Sequence, residues 1–435
     1  MKEQFNTALG FYRPSFFKMQ VECAENLENL NELQDIPSAI YLHEYIHFLQ
    51  DITTTYGCTN ISTVVDFIKY VNEASRGGIS RTLTIPVTPI PSPDNEVYFN
   101  LELKKTYYGS GKDVKIARVS NVAKRTKVIT LRNGNENLDY VVISYTDEND
   151  KFCYHEFGSH CVIESMAYII ENSIYPNCLP QASDFPYKSA QKIIESEYIE
   201  FLENPLNALA LCDASLGTFN PGEFFFSMLL KMKNEGYLPP TPEDVYSFCA
   251  SRITFNFNGV TTLNQLLLST SNSAIYQLCD YFTAPVFGDN KIWINYTIST
   301  AVNIRMTNSF FILQIARGGK IQTNLAFIEV FRKVGTPMIS NQNDEVTFYS
   351  PLQNTHVIKA EYLWAINQIY RLYTSNTKRC ELKSWCSESC ISQNIDDFTD
   401  SNCYNSPWLR TTNPVGLCPF AVMWKTWGME NETPV

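Results

Sequence analysis

Apolar and polar positions alternate with different periods along the chain. Between residues 36 and 56, Ile36, Ala39, Ile40, Leu42, Ile46, Leu49 and Ile52 recur at helical spacing. The pattern predicts a helix there, with Pro37 in its first turn and Gly57 ending it. A second helical stretch, "ISTVVDFIKYVNEA", follows and stops at Gly77-Gly78. From about 80 to 156 the period shortens to two. "TLTIPVTPI", "VYFNLEL", "TKVITL" and "YVVISYT" read as strands, with Pro, Gly, Asn and Asp between them as turns. Helical spacing returns at "HCVIESMAYIIENSIY" and dominates to about 376, as in "YKSAQKIIESEYIEFLE" and "AEYLWAINQIYRLYTS". The expectation is a mixed α+β, mostly helical fold in four segments. These are 1–78, a β-rich insertion at 79–156, a helical region at 157–376, and a Cys/Trp-rich segment at 377–435.

Composition narrows the class. A chain of 435 residues, 44% hydrophobic, with 27 Phe and 25 Tyr, buries a large core and is not disordered. The net charge of -11 argues against nucleic-acid binding. No Lys/Arg run suits an anionic membrane, and the longest apolar run, Phe224 to Leu230, is too short to span one. The N-terminal stretch lacks an apolar export segment. The 13 cysteines are expected as reduced thiols in a cytoplasmic setting.

The chemistry gathers in "SAIYLHEYIHFLQDI", where the first helix carries His43-Glu44-Tyr45-Ile46-His47. Histidine is scarce, five in the whole chain, so the His-Glu-x-x-His match carries information. Residues four apart share a helix face and rise about 6 Å, which lets two imidazoles converge on one zinc ion. Glu44 points another way, toward water at the zinc rather than the zinc, and suits a general base. The rival reading is a surface helix with an accidental pair. The apolar surroundings oppose it, because two histidines and a glutamate do not enter a core without partners.

A catalytic zinc needs a third protein ligand and an open position. Gln50 and Thr53 stand where the metzincin extension requires Gly and His. Asp51 is about 12 Å along the helix from His43, too far to share the metal, and is a candidate to orient the His47 ring instead. "HEFGSHCVIESMAYIIE" offers Glu164, a carboxylate in mid-helix among apolar residues, with His160 and Glu171 on the same face. Glu164 is the first choice as ligand, and His160 or Glu171 is a supporting or alternative one. His155, His356 and the many Tyr are candidate oxyanion donors, and the sequence does not choose among them. His356 stands alone and reads as structural or surface.

The motif plus a glutamate on a later helix resembles the gluzincin branch of the zinc metallopeptidases. The resemblance covers two short segments. It implies a zincin-like core, with His43, His47 and Glu164 as zinc ligands and Glu44 as base. The thermolysin-type Asn-Glu-x-x-Ser-Asp pattern is absent; the chain reads Ile163-Glu164-Ser165-Met166-Ala167.

Near the C-terminal end, Cys380, Cys386, Cys390, Cys403 and Cys418 lie close to Trp408, Trp424 and Trp427. Four thiolates would suit a second, structural zinc ion, although the tight C-x2-C knuckles are missing. Buried free thiols are the rival reading. The leading expectation is therefore a hydrolase, a zinc metalloprotease that cleaves peptide or protein substrates. The alternatives are an amide or ester hydrolase on a non-peptide substrate, a non-catalytic zinc-stabilised interaction protein, and a toxin or defence effector acting on one specific protein.

Overall fold

The computed structural model describes residues 9–76, 82–92, 94–131, 134–253, 262–392, 399–412 and 418–435. In chain order it begins with β1 (Gly10–Arg13), β2 (Lys18–Val21), α1 (Asp35–Thr53), α2 (Thr55–Arg76), β3 (Thr82–Leu83) and α3 (Glu96–Tyr108). Next come β4 (Arg118–Leu131), β5 (Gly134–Thr146), β6 (Phe152–Phe157) and α4 (Ser159–Ile174). Helices α5 (Ser189–Glu197), α6 (Leu206–Ser215), α7 (Pro221–Asn234), α8 (Pro242–Arg252), α9 (Leu263–Asp280), α10 (Gly288–Thr307), α11 (Phe311–Arg317) and α12 (Leu325–Val334) follow. The chain closes with β7 (Met338–Ser340), β8 (Val346–Thr347), α13 (Glu361–Ser375), α14 (Lys383–Ser392), α15 (Asn402–Asn405), α16 (Pro419–Thr426) and β9 (Thr433–Pro434). The fold is mixed α+β and mostly helical. Among the described residues, no helix is long and apolar enough to cross a membrane.

Helix α1 is the centre of the molecule. From Pro37 to Thr53 every residue except His47 is buried. It packs against α2, α4, α10, β1 and β2 and has no solvent face. A polar side chain on such a helix needs a partner from another element. The sheet beside it runs β1-β2-β7-β8, with β1 and β2 antiparallel and β2 and β7 parallel. β4, β5 and β6 form a separate antiparallel sheet in which two long strands make a hairpin. One buried apolar cluster runs from Tyr12 to Met429, across all four segments read from the sequence.

Three local expectations change. The first helix does not run to Gly57. It stops at Thr53, because Thr54 is extended and caps α2: its hydroxyl accepts from the Gly57 N–H at 3.0 Å and donates to the Gln50 carbonyl at 2.6 Å. Gly57 lies inside α2, where a Cβ would stand 2.2 Å from the Asp51 carbonyl oxygen. The glycine is there for close approach, not to end a helix. "VYFNLEL" is not a strand but the start of α3. The Asn95 side chain accepts from the Tyr98 N–H and caps that helix, which outweighs the two-residue alternation. In "TLTIPVTPI" only Thr82–Leu83 forms a strand, paired with β9 at the far end of the chain. The prolines that follow have no N–H to give a ladder. The other expected strands hold, within β4 and β5, and the expected helices correspond to α2, α4, α5 and α13. Gly77 and Gly78 lie outside the described residues.

Candidate metal centre and catalytic cleft

Helices α1 and α4 pack against each other and bring the sequence candidates together. The ligand atoms of His43, His47 and Glu164 all lie within 4.8 Å of one another. Nε2 of His43 is 3.3 Å and Nε2 of His47 is 3.5 Å from the same Glu164 carboxylate oxygen. The helix spacing presents both rings on one face, and Glu164 meets them from across the helix pair.

The far side of each ring is also held. His43 Nδ1 is 3.0 Å from a Glu171 carboxylate oxygen. His47 Nδ1 is 2.8 Å from the Gln50 side-chain oxygen, and the Gln50 amide donates to the Ile163 carbonyl at 3.0 Å. With Nδ1 tied back on both rings, both Nε2 atoms are left for a shared partner. Gln50 went unrecognised in the sequence. Its place one turn after His47 was the available signal.

Asp51 does not orient His47. Its carboxylate accepts from the Tyr12 hydroxyl at 2.9 Å and the Ser15 N–H at 2.7 Å, tying the β1–β2 turn to α1. These buried donors need an acceptor more than His47, which already has Gln50. Burial pushes the Asp51 carboxyl up to about 7, against the lowering pull of the Ser15 and Tyr12 hydrogen bonds and the Lys104 charge. His160 stays outside the ligand triad. Its Nδ1 is 3.9 Å from Glu164, and its ring stacks on Tyr108 with centroids 4.8 Å apart. His155 is turned away into the core, with Nε2 at 3.3 Å from Cys161 Sγ. Burial, then the charges of His160 and Lys112, lowers it to about 4. His356 contacts Thr355 and takes no part.

Glu44 differs from its neighbours. It is buried, and among the described residues no hydrogen bond or ion pair engages its carboxylate. It borders a cleft of about 1140 Å³ that His43, His160, Glu171 and Tyr187 also line. Gly10 of β1 lies against it, and a Cβ there would come 3.0 Å from Glu44 Cγ. Tyr187, in the loop before α5, places its ring 6.0 Å from that of His43. Nothing in its local sequence marked it; tertiary packing delivers it.

The charges show what the site lacks. Glu44, Glu164 and Glu171 surround two imidazoles, and among the described residues no Lys or Arg pairs with any of them. Burial raises Glu44, and His43 and His47 pull it back. Burial opposes charge on His43, but its hydrogen bonds to Glu164 and Glu171 override this and hold it well above its ordinary value. His47 is raised against burial by the Glu164 charge. Burial acts upward on Glu164, yet His47 and the hydrogen bonds from both rings hold it well below the carboxylate range. The cluster therefore recruits protons as its only positive charge. A divalent cation at the converging donors would supply that charge instead, and two imidazoles with a carboxylate are a donor set suited to zinc.

Comparisons with protein-family models, with curated proteins and with solved structures find no match for the chain. The His43, His47 and Glu164 group is a site able to hold a metal ion.

Proposed function

We propose that the protein is a zinc-dependent metallopeptidase. The observation carrying this reading is the convergence of His43, His47 and Glu164 beside Glu44, which lines a cleft with His43 and whose carboxylate has no hydrogen-bond or ion-pair partner among the described residues. A bound zinc ion would supply Lewis-acid chemistry, polarising a substrate carbonyl and acidifying water. Glu44 takes the proton from the attacking water and passes it to the leaving amine. Glu171 and Gln50 fix the ring orientations of His43 and His47. Tyr187 stays protonated, since burial and then the nearby carboxylates raise it, and it is available to donate to the developing oxyanion.

A peptide is favoured over other amides and esters by β1. It is the edge strand of its sheet among the described residues, and Leu9 and Gly10 line the cleft. A free strand edge there suits an extended backbone. The buried free thiols fit a reducing, cytoplasmic setting.

The test uses zinc-loaded protein and a mixed peptide library, with cleavage mapped by mass spectrometry. Wild type is expected to cut, and Glu44→Gln to lose about 10²- to 10⁴-fold in rate with its metal content unchanged. No cleavage by zinc-loaded wild type, or full cleavage by Glu44→Gln, would sink the proposal.

A further inference from the structure

The C-terminal segment holds a group of cysteine thiols, remote in sequence from the cleft. Cys380, Cys386, Cys403 and Cys418 all border one small void of about 10 Å³. Each is buried, and none is in a disulfide. They come from four pieces of chain: the turn after α13, α14, α15 and the residue that opens α16. The Cys380 N–H donates to the Cys403 carbonyl at 2.8 Å, which locks two of these pieces together. Cys390, one turn past Cys386 on α14, is fully buried but does not border the void.

Four thiols from four segments meet at this one void. The elements around it are short, down to the four residues of α15, and bury little apolar surface each. Short segments of this kind commonly need a staple. Arg410 also borders the void, and a divalent ion there would hold the coordinating thiols as thiolates.

We propose that Cys380, Cys386, Cys403 and Cys418 form a closed structural site for a zinc-class divalent ion, with Cys390 outside it. Among the described residues only the His43, His47 and Glu164 donors lie within 4.8 Å of one another, so the four sulfurs start more widely set. Sulfurs about 2.3 Å from one ion stand about 3.8 Å apart, and binding draws them inward over the void. The tightened segment would hold Glu381, the neighbour of Cys380, against Lys18 of β2 at 2.6 Å. The site thus braces the sheet that lies on α1. It is independent of any peptidase activity.

Metal analysis on full-length protein tests this. Wild type is expected to hold two equivalents of zinc, His43→Ala one, Cys386→Ser one, and Cys390→Ser two. Cobalt substitution of wild type adds a readout that does not depend on a variant folding. A thiolate-to-cobalt charge-transfer band should appear and persist in His43→Ala. Absence of that band, two equivalents retained in Cys386→Ser, or disulfides among the four thiols in native protein would each overturn the assignment.

Discussion

Two buried carboxylate clusters flank α1, and they are solved in opposite ways. At its C-terminal end Asp213 of α6 meets Arg305 of α10 in a two-pronged contact of 2.5 and 2.8 Å. The Tyr246 hydroxyl donates to the same carboxylate at 2.7 Å, and Arg305 also reaches Thr53. Charge is balanced within the protein, and Arg305 also donates to the Ser309 carbonyl at 3.4 Å. One face away, Glu44, Glu164 and Glu171 share two imidazoles and no Lys or Arg among the described residues. The first cluster has its counter-ion as folded. The second has no Lys or Arg counter-ion among the described residues, could hold a metal ion at His43, His47 and Glu164, and borders a cleft. Burial of acids alone therefore does not single out a candidate site; burial without an internal counter-ion among the described residues is what sets this one apart.

The comparison breaks if the paired cluster also needs metal or the open one does not. Asp213→Ala leaves Arg305 buried and unpaired, and a loss of about 3–5 kcal/mol in unfolding free energy is expected, with zinc content per folded molecule unchanged. Chemical denaturation with metal analysis checks both parts. Glu164→Ala is expected to remove the zinc bound by the His43/His47 pair and to be stabilised less by added zinc than wild type. Thermal melts with and without the ion show this.

Smaller effects sharpen the contrast. Glu171→Gln and Gln50→Ala loosen the rings without removing a ligand, and each is expected to weaken zinc binding about 10–100-fold, read in chelator competition. Asp51 contributes through pH rather than through the metal. Its folded value of about 7 lies above the ordinary 3.8, so the folded state holds its proton more tightly. Its stabilising share is complete below the ordinary value and is lost as pH rises through about 7. Asp51→Asn should therefore flatten the dependence of Tm on pH between about 4 and 7 relative to wild type, with zinc content retained.

The metal centre was legible where its logic is local. His43 and His47 are one helical turn apart on a helix too apolar to be a surface helix, and Glu164 stood out as a lone carboxylate in an apolar helix. Glu171, two turns further on, followed from the same face. Contacts set by tertiary packing were not legible. Tyr187 reaches the cleft from a loop, and Asp51 is claimed by the β1–β2 turn rather than by its helical neighbour. In the fold, long alternating strands such as β5 were readable. Val97, Phe99, Leu101 and Leu103 alternate as a strand would, and only the Asn95 cap tells that they begin a helix.

Tyr45, in the middle of the His-Glu-x-x-His motif, donates its hydroxyl to the Gly335 carbonyl at 2.9 Å, a partner 290 residues further along the chain. The strand that follows, β7, pairs with β2 beside the same helix. At ribosomal speeds of about 5–20 residues per second, roughly 15 to 60 s separate synthesis of the motif from synthesis of its support. During that interval the nascent chain carries the motif without the packing that aims it. Under the proposed function, a centre assembled this way would stay silent on the ribosome, and truncated products released early would be harmless to their surroundings.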